Sequence, residues 1–310
     1  MKQKYTVHEY SGLKKLTELF FYGNYFYGFC IVALLLEATI QLKIPFAGCL
    51  FYVTAFVATI LFYNYPNARN YTSPDTNPRV RWYIRNHSLI IRTQIVLTVL
   101  LLSLIFKFVL EYNWAISNID ALQWLLILIF PIAGALYYGV NFYSTKYNLR
   151  SIGWLKPFII GFVWAGIANV YPVLYHDILH AKSYEFTLTG NLLFLKNLMF
   201  VSFLAIMFDI KDHVADNKYQ INTLVVKYGL RKTIFYVLLP FTLIGLLTFI
   251  AYAVSHHFSL LKMLLFMIPF LLLIAAARSL RKRRSLMYYF VVLDGILIAK
   301  ALFGILAMLV

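Results

Sequence analysis

The chain has 310 residues, of which 62% are hydrophobic and 13% charged, and carries a formal net charge of +16. A mean hydropathy of +0.74 lies far above that of a water-soluble domain and excludes the soluble-enzyme classes. The basic excess does not mark a nucleic-acid binder, because Lys and Arg are dealt out between apolar stretches and do not gather in one patch.

The first 18 residues form a polar segment, longer than the n-region of a cleavable signal, and lead into a full-length apolar run. The first span is therefore expected to stay in the mature protein. Apolar runs of about 20 residues, the length a helix needs to cross the hydrocarbon, occupy 19–40, 45–63, 88–110, 121–142, 157–175, 190–208, 233–254, 260–277 and 286–308. This pattern predicts an all-α polytopic membrane protein with nine transmembrane helices, organised as one domain over residues 1–310. Cys30 and Cys49 both fall inside apolar runs, without metal-type spacing or a disulfide framework.

With nine spans, the charges sort to one side. Lys2, Lys4, Lys14 and Lys15 at the N-terminus, Arg69, Arg79, Arg81, Arg85 and Arg92 in the 2–3 loop, and Lys146, Arg150 and Lys156 in the 4–5 loop share it with the cations of the 6–7 and 8–9 loops. The positive-inside rule makes that side cytoplasmic. Glu111, Asp120, Asp177 and Glu185 fall on the other side.

The 6–7 loop opens with Asp209, Asp212 and Asp216, in a chain with only 12 acidic residues. Spacings of three and then four residues put all three carboxylates on one face if the segment stays helical. Such a face repels itself unless a cation balances it, and Mg²⁺, which takes carboxylate oxygens and shares its other positions with water and phosphates, suits the role.

These aspartates are followed by Asn222-Thr223-Leu224-Val225-Val226-Lys227-Tyr228-Gly229. Together they resemble the second aspartate motif, with its downstream Thr-Leu-Pro-Val-x-x-Gly, of the UbiA superfamily of intramembrane prenyltransferases; Val225 stands where Pro is usual. The family's first motif, N-x-x-x-D-x-x-x-D, is represented by Asn64 alone, since Ala68 and Thr72 occupy the two aspartate positions. Asp75 lies three residues further on, in chain made irregular by Pro74 and Pro78. A third element, Y-x-x-x-K, is approximated by Tyr143 and Lys146, one residue short, and Asn24 in the first span is similar to a family asparagine on helix 1.

The resemblance implies helices around a central cavity open to the cytoplasmic side, a prenyl diphosphate donor, a hydrophobic acceptor and Mg²⁺ on Asp209, Asp212 and Asp216. Lys146 and Tyr143 join those aspartates as catalytic candidates, and Asn64, Arg69, Asn24, Arg150 and Asp294 as substrate-binding ones. Loss of the first-motif carboxylates removes half of the usual two-metal clamp, so a non-catalytic relative that binds isoprenoid or other lipid is the alternative. No nucleic-acid partner is expected, and the bilayer is the surrounding solvent.

Other features have plainer explanations. Positive-inside topology alone accounts for Arg69, Arg150 and the run Arg278, Arg281, Lys282, Arg283 and Arg284. Asp294, inside the ninth span, either pairs with a polar neighbour or polarises an acceptor; Lys300 is its near neighbour or snorkels outward. His176 and His180 are one turn apart, but Asp177 follows the first His where a metalloprotease needs Glu, so an interfacial role is the better reading. A transporter would need charges within the spans and matching interruptions in two halves, and the sequence shows few of the first and none of the second.

Overall fold

The first apolar run is broken by two residues, Gly23 and Asn24. Asn24 adopts φ 63°, the left-handed conformation that asparagine tolerates better than most side chains. The computed structural model describes residues 2–68, 78–138, 152–218, 222–255 and 257–310, with the side chains of 2–11, 214–218, 248, 251, 252 and 255 left outside that description. On either side of the break lie α1 (Lys2–Tyr22) and α2 (Tyr25–Gln41), and the segment Gly12–Tyr22 meets Tyr25–Gln41 at 56°.

The described residues are mostly helical, with no strand among them. Among the described residues eight helices are long and apolar enough to cross a membrane: Cys49–Ala68, His87–Glu111, Ala121–Tyr138, Lys156–Leu179, Leu188–His213, Leu230–Leu247, Leu260–Ser279 and Leu286–Leu309. Each coincides with a run read from the sequence. The run at 19–40 is the exception, because the break divides it into the bent pair. Along His87–Glu111 large apolar side chains such as Ile95, Val96, Leu102, Phe106 and Leu110 are exposed. Such a continuous apolar face is stable only against lipid, and the chain is an integral membrane protein.

The chain forms two compact units, one of Met1–Val32 and Gly48–Asn113, the other of Ala33–Ala47 and Trp114–Val310. In the first, α3 (Cys49–Asn64) packs on α5 (His87–Glu111), and α4 (Pro78–Arg85) buries Trp82 and Tyr83. The second is built on α6 (Ala121–Tyr138), α7 (Lys156–Leu179), α8 (Leu188–Lys218), α9 (Leu224–Tyr228), α10 (Leu239–Ser255), α11 (Leu260–Ser279) and α12 (Leu286–Leu309).

Local chemistry fixes these elements. Asp120 caps α6 reciprocally with Gln123: its Oδ1 accepts from the Gln123 N–H at 2.8 Å, while Gln123 Oε1 accepts from the Asp120 N–H at 3.1 Å. Pro131, inside α6, has no N–H to donate to the carbonyl of Ile127. Tyr171 of α7 fills that place, its hydroxyl donating to Ile127 O at 2.7 Å. Gly161 lets α7 and α8 touch, since a Cβ there would lie 2.6 Å from Leu198 O.

Candidate functional site

The helix break is held by polar side chains from two other elements. Asn64, the last residue of α3, donates from Nδ2 to Gly23 O at 2.9 Å, and Tyr83 of α4 donates its hydroxyl to Tyr22 O. These two carbonyls are ones a helix end leaves without intrahelical partners. Asn24 Nδ2 donates to Asn64 Oδ1 at 2.8 Å and to Tyr83 Oη at 3.2 Å, and its Oδ1 accepts from Arg79 Nη2 at 2.7 Å. The structure thus joins the two asparagines singled out from the sequence, 40 residues apart, and adds Arg79 and Tyr83. Both asparagines are fully buried and their amides are spent on this network. Their visible work is to close the break and to orient the Arg79 guanidinium, which also stands 5.5 Å from the Tyr83 ring.

The aspartate motif lies at the end of α8, which runs unbroken to Lys218. The segment therefore stays helical, and Asp209, Asp212 and Asp216 are at positions i, i+3 and i+7 of one helix, as its spacing predicts. Asp209 is buried and forms an ion pair with Lys156, the first residue of α7. Asp212 is more open, with Lys211 Nζ 3.4 Å from its Oδ1. Lys211 also lies over the rings of Phe208 and Phe290, at 5.5 and 5.8 Å. Phe290 is one turn before Asp294, so buried Asp294 belongs to the same end of this unit as the aspartates.

The downstream motif is a folded turn. Thr223, fully buried, caps α9 by accepting from the Val226 N–H at 3.2 Å. Its neighbour Val225 is buried, and Gly229 ends the helix at φ 80°, ψ 157°, a region open essentially to glycine. Gly153 seats this turn against the entry to α7, because a Cβ there would lie 2.5 Å from the backbone of Asn222 and Thr223. Motif, turn and Lys156 are thereby one local construction.

Arg69, Tyr143, Lys146, Arg150 and Asp75 lie outside the described residues, as does the side chain of Asp216. Among the described residues, no three His, Cys, Asp or Glu side chains converge at metal-holding distance. The oxygen-only donors of α8 suit Mg²⁺ in type and spacing. In this structure Lys156 is a cation paired with Asp209.

A second ionic cluster escaped the sequence reading. Lys300 of α12 pairs with Glu37 of α2 at 2.5 Å, and Lys196 of α8 lies 3.6 Å from the other oxygen of Glu37 and 3.0 Å from Gln41 Oε1. Lys300 is thus neither snorkelled outward nor turned to Asp294. Glu37 in LLLEATI was a visible signal, since a carboxylate inside a span is costly unless paired; its partners, more than 150 positions away in sequence, were not. Beside it a void of about 20 Å³ has room for a single water.

Compared with protein-family models, with curated proteins and with solved structures, the chain gives no match.

Proposed function

We propose that this chain is an integral-membrane prenyltransferase-like protein that takes a prenyl diphosphate at the end of α8 and passes the isoprenoid chain to a lipophilic acceptor. The observation that carries the reading is the assembly of the aspartate face, its capped Thr-Leu-x-Val-x-x-Gly turn and Lys156 into one construction. In the transfer, the allylic carbon–oxygen bond breaks with its electron pair leaving on the diphosphate. The acceptor then bonds to that carbon and gives up a proton.

On this reading Mg²⁺ held by Asp209, Asp212 and Asp216 would neutralise charge on the diphosphate. Lys156 pairs with Asp209 and is a cation at hand for phosphate oxygens. Apolar helix walls would exclude the water that quenches an allylic cation. The proposal carries with it nine spans, counting the bent pair as one, a central cavity open to the positive-rich side, and that side in the cytoplasm.

One observation favours a second reading, a non-catalytic isoprenoid- or lipid-binding relative. Ala68 stands where the first motif of the resembled family has an aspartate, and Asp209 is already paired with Lys156. Turnover separates the two. Radiolabelled farnesyl and geranylgeranyl diphosphate would be incubated with purified protein, with and without Mg²⁺, beside an Asp209→Ala/Asp212→Ala variant. Mg²⁺-dependent release of diphosphate that the variant abolishes supports the enzyme; no release from a folded wild type leaves the binding reading.

A further inference from the structure

At the far end of α8 from the aspartates, the second unit encloses a cavity of about 360 Å³, within the range of small-molecule sites. Phe194 on its wall is about 22 Å along the helix from Asp209 at 1.5 Å rise per residue, so the cavity is separate from the motif. Its floor is aromatic: Phe130, Phe162 and Phe194 form a cluster with ring centroids 5.0, 6.0 and 6.4 Å apart.

One buried polar side chain faces this apolar floor, and the backbone is distorted to place it. Residues Gly166–Val170 form a π-helical turn in α7, a device that inserts a residue and recurs at functional sites. Within it Asn169 is buried and lines the cavity. Its Nδ2 donates to Ala165 O at 2.8 Å and its Oδ1 accepts from Asn197 Nδ2 at 3.0 Å. An amide has two N–H donors and two acceptor lone pairs, so one of each stays available. Behind it, Asn197 Oδ1 is buried without a hydrogen-bond partner, and the amide pair retains acceptor capacity.

Charge narrows the ligand. Among the described residues no Lys or Arg lines the cavity, and the one carboxylate on its wall is Glu185, at an exposed rim with Thr187 and Asn191. A diphosphate or carboxylate would find no counter-charge and would meet a like charge at the entrance. An amide offering both a donor and an acceptor matches a hydroxyl, which is both, and the phenylalanine cluster matches an apolar or unsaturated body.

We propose that this cavity is a binding site for an uncharged lipophilic alcohol or phenol, with its hydroxyl on Asn169 and its hydrocarbon body on Phe130, Phe162 and Phe194. The inference stands on this cavity alone and does not require the aspartate motif to be catalytic.

The test is photolabelling of the full chain in lipid nanodiscs with a diazirine analogue of farnesol, with mapping of the modified peptides. Expected is labelling within 162–173 and 184–194 that unlabelled farnesol competes away, and a loss of at least tenfold in Val173→Trp, which fills the cavity. Asn169→Leu, which keeps the floor apolar, should weaken competition by farnesol about tenfold and leave competition by the matching hydrocarbon without a hydroxyl unchanged. Thermal melting of each variant, and Leu102→Ala on the exposed face of His87–Glu111 as a variant that keeps labelling, guard against loss of fold. Label spread over the lipid-facing helix His87–Glu111, or label displaced equally by bulk phospholipid, overturns the assignment. So does equal loss of alcohol and hydrocarbon competition in Asn169→Leu.

Discussion

Lys300 Nζ lies 2.5 Å from Glu37 Oε2, and both side chains are buried among apolar helices. Separating them leaves a charge in low dielectric with no partner, whereas replacing both removes the desolvation cost along with the attraction. Glu37→Leu alone should therefore destabilise by about 3–5 kcal/mol, read as a lowered melting temperature in detergent. The double variant Glu37→Leu/Lys300→Met should return part of that loss; Lys196 keeps its bond to Gln41 Oε1 at 3.0 Å but loses the Glu37 carboxylate. Additive losses in the double variant would show that the pair is not coupled.

Tyr171 and Pro131 form a compensating pair of another kind. Tyr171→Phe should cost about 1–3 kcal/mol, because the Ile127 carbonyl that proline leaves open loses its donor. Adding Pro131→Ala restores an N–H four residues on, so the Tyr171→Phe loss should shrink in that background. Unchanged loss in the two backgrounds would sink this account of Pro131.

The break between α1 and α2 should depend on the groups that cap it. Asn64→Ala removes the donor to Gly23 O and the acceptor for Asn24, and is expected to destabilise by about 1–3 kcal/mol. Tyr83→Phe should act in the same range by freeing Tyr22 O. Hydrogen exchange at residues 25–28 should rise in both variants and stay at the wild-type level in Arg79→Lys. Unaltered exchange in Asn64→Ala would mean that the break holds itself.

Gly166 presents a steric test of the aromatic floor. A Cβ at this position would lie 2.0 Å from the Phe130 ring, closer than any contact a packed interior tolerates. Gly166→Ala should destabilise by about 1–3 kcal/mol, and Phe130→Leu in the same chain should relieve it. A Gly166→Ala protein with the wild-type melting temperature would contradict the packing described.

At the motif, Asp209→Asn keeps the shape of the side chain and removes the charge that Lys156 faces. It should lower stability, and Lys156→Met in addition should recover part of the loss. If the end of α8 also holds a diphosphate, Lys156→Met alone should weaken binding of that anion, measured with labelled farnesyl diphosphate at a temperature below the variant's lowered melting transition. Equal binding by wild type and Lys156→Met would remove Lys156 from the site.

Hydrophobic periodicity and length placed eight spans within a few residues of where the structure has them, since a bilayer imposes one demand on every crossing segment: that its backbone be satisfied within the helix and its surface be apolar. The helical spacing of Asp209, Asp212 and Asp216 was legible for the same local reason. The sequence did not show that Asn24 breaks the first run, because a single left-handed residue alters hydropathy hardly at all. Nor did it show that Lys156 faces Asp209, that Lys300 and Lys196 converge on Glu37, or that Tyr171 completes Pro131. Those partners are 40 to more than 250 positions apart, and a buried polar group specifies only that it must be satisfied. Which group satisfies it is settled when helices pack, and there the tertiary structure alone decided the chemistry.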